Sequence, residues 1–399
     1  MDLAVFSLLI FVSSFMPSIQ SPESPAPNVT DLTFKNIDFA MNLYLKIASR
    51  HDDNIFFSPL SVSTAFAALS LAARNSTRSE ILSGLNLDTL EQAGQLELIP
   101  QLFQHLQRNI SQAGTLKLEQ GTALFVDLNF QIEKDFGDQM KLFFSADVEN
   151  VDFKKSETCK IINDHVMEKT GGKVKEMVTS LDPLTRLLLI NTVFFQGAWK
   201  HPFNPNSTNS GRFYIDKYNV VQVPMMFVVD KFYVASDDEL RVKVLRIPYL
   251  GGAAMLIVLP DLYVDYTTID DEINADRFLS WIKNMNKKKL EVSLPKFTME
   301  RSYALHTILP AMGIQDVFKD TANLKGMSQE PGLKVSQVLH KAVIEVDERG
   351  TTAAAATSMG ITAYSMPEFF TVNRPFFFFI YHEATNSLLF MGRVIDPTK

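Results

Sequence analysis

Two apolar, strand-like segments, residues 341–346 and 375–381, enclose a run that carries neither bulk nor charge. It leaves the first segment through Glu348-Arg349 and continues as Gly350-Thr351-Thr352-Ala353-Ala354-Ala355-Ala356-Thr357. From there it stays uncharged through Tyr364-Ser365 to Met366. As a loop, such a run is flexible enough to enter a protease cleft. As a strand, it has no side chain that would obstruct insertion into a sheet. With Gly350 as the hinge, Thr351, Ala353, Ala355 and Thr357 share one strand face, and Thr352, Ala354, Ala356 and Ser358 share the other. A proline or lysine here would block insertion, because a central strand tolerates neither a missing N–H donor nor a buried charge. The first proline after the hinge is Pro367. A solvated linker is the plainer alternative, but linkers are not usually flanked by two long strand patterns.

The rest of the chain can build a large core. It has 399 residues, of which 46% are hydrophobic and 21% charged, so disorder is not the default. A net charge of -7 gives no general case for nucleic-acid binding. Cys159 is the sole cysteine, which excludes an intrachain disulfide, and no motif surrounds it. Residues 3–16 form an apolar run of signal-peptide length, too short to span a bilayer, although Asp2 stands where a basic start is expected. The expected organisation is a signal peptide over residues 1–20, a Pro/Ser-rich segment over 21–31 and one domain over 32–399. Glycosylation acceptor sites begin at Asn28, Asn75, Asn109 and Asn206, which agrees with secretion.

Hydrophobic periodicity predicts helices over 34–47, 62–73, 100–108, 156–168 and 271–284, with Ser61 as a cap and Pro100 at a first helical position. Apolar or alternating runs bounded by Gly, Pro or charge predict strands over 54–58, 187–195, 241–247, 253–259 and 289–294. No repeat and no dividing linker interrupts the interior. Helices early and strands late point to an α+β fold in one large domain. Enzyme chemistry is not signalled. His51, His105, His165, His201 and His306 lack metal-ligand spacing, there is no Gly-x-Ser-x-Gly elbow, and Gly171-Gly172-Lys173 reads as a turn after a helix.

Several separated strings occur in one order: Asn54-Ile55-Phe56-Phe57-Ser58-Pro59-Leu60-Ser61, Asn191-Thr192-Val193-Phe194-Phe195-Gln196-Gly197-Ala198-Trp199-Lys200, and Val223-Pro224-Met225-Met226. Leu294-Pro295-Lys296-Phe297, the hinge run and Phe390-Met391-Gly392-Arg393-Val394 follow. In this combination the chain resembles clade A of the serpin family from about Phe34 to Thr398. The resemblance implies three β-sheets, eight or nine helices and an exposed reactive-centre loop. It also implies suicide-substrate trapping of a serine protease, with no cofactor. The family's spacing from Glu348 places the reactive bond at Tyr364-Ser365, with the hinge at Gly350, Thr351, Thr352, Ala353, Ala354, Ala355 and Ala356. Ser58, Ser61, Asn191 and His340 match a buried polar "shutter" beneath the central strands. Trp199, Lys296 and Glu348 match a "breach" at the top of the sheet.

The string Ile361-Thr362-Ala363-Tyr364-Ser365-Met366-Pro367, with Asp216-Lys217-Tyr218, is similar to members that act on activated coagulation factor X with protein Z as partner. Their protein Z-binding positions correspond here to Asp52, Asp216, Tyr218 and Asp271, while a methionine of that site corresponds to Ser49. Heparin is a further partner to consider, with Lys287-Lys288-Lys289 as a short basic run. Two alternatives stay open. Tyr364 by itself suits the apolar pocket of a chymotrypsin-like protease. A non-inhibitory carrier would share the fold, although such relatives often carry bulky, charged or proline residues in the hinge.

Overall fold

The structure is a computed structural model that describes residues 27–92, 95–111, 117–349 and 367–399. The described residues contain eight α-helices: α1 (Val29–Ala48), α2 (Pro59–Ser70), α3 (Asn75–Gly84), α4 (Leu98–Ser111), α5 (Lys134–Phe144), α6 (Glu157–Lys169), α7 (Thr267–Asp270) and α8 (Ala275–Lys283). The strands are β1 (Ile55–Phe57), β2 (Lys117–Asp127), β3 (Asp147–Val151), β4 (Leu187–Gln196), β5 (Asn209–Tyr214), β6 (Val220–Asp237) and β7 (Val242–Pro248). Then come β8 (Ala253–Pro260), β9 (Asn286–Pro295), β10 (Phe297–Ala304), β11 (Gln337–Val346), β12 (Glu368–Thr371), β13 (Phe376–His382) and β14 (Ser387–Val394).

The class is α+β, as the element order indicates. One sheet has the order β10-β11-β4-β2-β3. Its central pair, β11 and β4, runs parallel with His340 opposite Asn191, whereas β10/β11 and β4/β2 are antiparallel. The other strands pair continuously as β1-β14-β13-β8-β7-β6-β9-β12, with β5 on β6. Two of the three expected sheets are thus joined, because the long strand β6 pairs with β5, β7 and β9 along its length. The core lies between the sheets and under α1 and α2, which pack on β14. Phe56 stacks on Phe378 and Phe390 there, at centroid distances of 5.8 and 5.3 Å. Every residue of α2 is buried, and its polar side chains are bonded: Ser63 donates to Asn36, Thr64 to the Leu60 carbonyl and Ser70 to the Ala67 carbonyl, while Ser61 accepts from Asn191.

Local chemistry moves several predicted boundaries. Order begins before Leu32: α1 starts at Val29, where Asn28 and Asp31 form a reciprocal capping box. Ser58, not Ser61, caps α2. Its hydroxyl accepts from the Ser61 N–H, and Pro59 takes the first helical position. Pro100 lies at the third position of α4. The helix expected over 271–284 is α8 and starts later, at Ala275, because the Asn274 side chain accepts from the Arg277 N–H; the short α7 ends just before the expected span.

Candidate functional site

Four polar side chains meet beneath the β4/β11 pair. Ser58 and Ser61 come from the start of α2, Asn191 from β4 and His340 from β11, and all four are buried. The Ser58 N–H donates to His340 Nε2 at 3.1 Å, and His340 Nδ1 lies 2.7 Å from Asn191 Oδ1. Since Nε2 must accept, Nδ1 carries the proton and donates to Asn191, and the ring is neutral. The Asn191 amide donates to Ser61 Oγ at 2.7 Å and Thr122 Oγ1 at 2.9 Å, tying in β2. Ser58 Oγ donates to the Leu389 carbonyl of β14 at 2.8 Å. Burial pushes the His340 imidazole down to about 3. Its ring lies nearly parallel to that of Tyr303, at 6.5 Å. These bonds connect four strands and a helix, so separating β4 from β11 requires the partners to change.

At the end of the same seam, Lys296 Nζ lies 2.9 Å from Glu348 Oε2, and Thr208 Oγ1 donates to the other carboxylate oxygen at 2.9 Å. Burial opposes charge on Glu348, but Lys296 and Thr208 hold its carboxyl below the usual range. The Trp199 indole N–H donates to the Asp347 carbonyl at 2.8 Å, and its ring stacks on Tyr249 at 4.2 Å. The residues at which the chain leaves β11 are therefore held by side chains from three other parts of the fold. Across the opposite face of the seam, Lys341 Nζ donates to the Glu176 carbonyl at 2.7 Å, and Lys173 pairs with Glu345 at 2.8 Å. The hinge from Gly350 to Ala356 and the Tyr364-Ser365 bond lie outside the described residues.

A third region is open to solvent. Asp52 and Tyr218 line one cleft of about 550 Å³, together with Arg301 and Asp396. Tyr218 is 81% exposed, at the turn between β5 and β6, with Lys217 Nζ 4.8 Å from its ring centre. Asp216 shapes that turn. It accepts from the Asn219 side-chain amide at 2.7 Å and from the N–H groups of Tyr218 and Asn219 at 2.7 and 2.8 Å. The amide first, and then the backbone donors, hold its carboxyl below the ordinary range. Asp271 is exposed at the end of α7 and does not line the cleft; Ser49, also exposed, caps the end of α1.

Beneath this face is a cluster that sequence reading missed. Arg393, in the fully buried strand β14, places one guanidinium nitrogen 2.5 Å from Asp270 and another 2.7 and 3.1 Å from the carbonyls of His51 and Asp53. The Tyr44 hydroxyl donates to the second Asp270 oxygen. A lone arginine in an otherwise apolar strand was the available signal.

The four sequon asparagines, Asn28, Asn75, Asn109 and Asn206, are exposed. Lys287, Lys288 and Lys289 are exposed on β9, with Lys288 3.1 Å from Glu368. Cys159 is half-buried against the underside of the smaller sheet. Among the described residues no His/Cys/Asp/Glu group could hold a metal ion, and no helix is long and apolar enough to cross a membrane.

Residues 34–397 match the family described as serpin (serine protease inhibitor). The protein Z-dependent protease inhibitor of Mus musculus is 38% identical over 369 residues, covering 92% of this chain and 82% of that protein. The crystal structure of the mouse inhibitor superposes with a TM-score of 0.86 at 37% identity, covering 93% of this chain and 98% of that one. Human thyroxine-binding globulin complexed with thyroxine also superposes with a TM-score of 0.86, at 32% identity, covering 93% and 100%.

Proposed function

The chain belongs to the serpin family, and on that premise we propose that it is a secreted inhibitor that traps a serine protease, cleaved at Tyr364-Ser365. The target in this reading is activated coagulation factor X, and protein Z is the partner that brings inhibitor and protease together. The chain itself is consumed rather than acting as a catalyst. The observation that carries the reading is the junction at the end of β11. A strand in the centre of a sheet leads straight into Gly350-Thr351-Thr352-Ala353-Ala354-Ala355-Ala356, whose side chains suit a further strand between β11 and β4.

The steps follow from that junction. The protease attacks the Tyr364 carbonyl, releases the Ser365 amine and is left as an ester on Tyr364. The freed hinge then enters the sheet. Each inserted residue gains hydrogen bonds of about 1 kcal/mol net. Over about ten residues this is comparable to the ~5–15 kcal/mol that holds a protease domain together. The native form is accordingly held by a kinetic barrier, with the His340 cluster and the Lys296–Glu348 pair as its latches. Tyr364 is a poor match for a pocket that prefers arginine. A partner that binds inhibitor and protease on one membrane offsets this by raising their effective concentration. Support for protein Z comes from the relative's name and from the four matching positions Asp52, Asp216, Tyr218 and Asp271.

The test is to mix the protein with factor Xa, with and without protein Z, phospholipid and calcium, and to look for an SDS-stable complex. The released peptide should begin Ser-Met-Pro-Glu. A different first residue would move the reactive bond. Complexes with chymotrypsin alone would favour a chymotrypsin-like target. Absence of any complex would favour a carrier, a reading consistent with the equal superposition on thyroxine-binding globulin.

A further inference from the structure

Two of the four docking positions are separated by more than two hundred residues of sequence, yet a single buried group touches the backbone or neighbour of each. Asp52 sits between His51 and Asp53, and the carbonyls of both accept from one nitrogen of Arg393, at 2.7 and 3.1 Å. Asp271 follows Asp270, whose carboxylate takes the other nitrogen at 2.5 Å and is also bonded by Tyr44. Arg393 Cζ lies 5.5 Å from the centre of the Tyr266 ring, just before the short helix α7. Arg393 is 3% exposed and lies on a strand paired on both sides, with β1 and β13, so its position is fixed by the core.

We propose that Arg393 is a positioning residue, the buried pin that holds the Asp52 loop and the Asp271 helix end at a fixed separation for a docking partner. This rests on the reading above that Asp52 and Asp271 face protein Z. The chemistry demands an arginine. Three acceptors lie around one planar cation, and only a forked guanidinium can donate to a carboxylate from one nitrogen and to two carbonyls from another. A lysine ammonium keeps the charge and can satisfy Asp270, but it cannot span both sides. Asn54, the next residue, is anchored separately: its buried side chain accepts from the Ile395 and Asp396 N–H groups and donates to the Asp396 and Lys399 carbonyls. Over 51–53 the other side-chain ties are weak: Arg301 reaches Asp53 at 3.4 Å and His51 lies 3.9 Å from Asp53, both at partly exposed positions. Exposed pairs of that sort hold a loop weakly.

The experiment is amide hydrogen exchange on the full chain, followed by titration with protein Z. The readout is residues 49–51, whose N–H groups bond to Leu45, Ile47 and Ala48 just before the carbonyls that Arg393 holds. Arg393→Lys should speed exchange across 49–51 about fivefold or more while 267–273 stays near wild type, because the ammonium stays on Asp270. Arg393→Gln should loosen both segments together. If Arg393→Gln does not fold, Asp270→Asn must loosen 267–273 and spare 49–51, since the guanidinium then keeps only the carbonyls. Protein Z affinity should fall about tenfold in Arg393→Lys and further in Arg393→Gln, as expected when charged partners lose their registration. Unchanged exchange in both segments of Arg393→Gln overturns the proposal. So does full protein Z affinity in a variant whose two segments have loosened. A wild-type chain that does not bind protein Z removes the partner reading and not the pin, which the exchange pattern alone then upholds or overturns.

Discussion

His340→Gln should make the stability of this protein less sensitive to mild acid, by an amount the structure fixes. The native imidazole is neutral, with burial lowering its pKa from 6.5 to about 3. Below pH 6.5 the unfolded chain therefore binds a proton that the folded chain does not, so stability is complete above 6.5 and falls as pH falls. At pH 5, one and a half units below the unfolded value, the loss is about 2 kcal/mol at 1.36 kcal/mol per unit. Any folded value below 4 gives the same loss at that pH. Glu348 is held below its ordinary value, so its contribution is present above about pH 4.5 and lost only below that, outside this window. His382 is also lowered by burial and titrates in the same direction, so His382→Gln is the companion variant. A glutamine at 340 keeps the required chemistry, since its oxygen can accept from the Ser58 N–H and its amide can donate to Asn191. Loss of the ring contact with Tyr303 should cost about 0.5–1.5 kcal/mol at neutral pH. The assay is urea unfolding followed by circular dichroism between about pH 7.5 and pH 5. Wild type should lose about 2 kcal/mol more than His340→Gln over that interval. Parallel losses in the two proteins would refute a neutral, buried His340.

Three further outcomes follow from the other sites. Lys296→Glu sets a like charge against the largely buried Glu348 carboxylate, so native gels after mild heating should show more polymer, and the Lys296→Glu/Glu348→Lys double variant should restore monomer. Ala355→Arg should turn inhibitor into substrate, because an unpaired charge in the sheet slows insertion until the ester hydrolyses. Covalent complex at wild-type stoichiometry would count against insertion. Asp271→Ala and Tyr218→Ala should each weaken protein Z binding about tenfold, read by direct titration, and unchanged affinity in both would place the partner elsewhere.

How much of this was legible in the sequence depended on where the information lay. Strands β4, β8 and β13 are nearly continuous apolar runs bounded by Gly, Pro or charge, and such runs are readable because burial on both faces leaves no other pattern. Nothing in the pattern of β6 marks it as a strand. Pro224 interrupts it, Asp230 and Lys231 fall inside it, and its burial changes as its neighbours change from β5 to β9 to β7. Caps were off by a few residues because Ser58 and Ser61 both fit a cap, and only the hydroxyl geometry separates them. At the candidate sites, composition could nominate the hinge but could not bring Ser58 to His340 across 282 positions; the resemblance did that. The resemblance nominates Asp216 as a docking acid, and its oxygens are engaged by the turn that presents Tyr218. Arg393 carried no label, since its three acceptors are a distant carboxylate and two backbone carbonyls.

The parallel pairing of β11 with β4 also decides which way a newcomer can point. A chain that leaves the end of β11 and doubles back must run opposite to β11. Because β4 runs with β11, that same chain is also opposite to β4, so both of its flanks form the perpendicular bonds of antiparallel ladders in place of one slanted parallel ladder. Had β4 run the other way, a returning strand would match one neighbour and mismatch the other. The polarity of β4, set 149 residues before its partner at the Asn191–His340 contact, is therefore what lets one short reversal suit both sides of the gap.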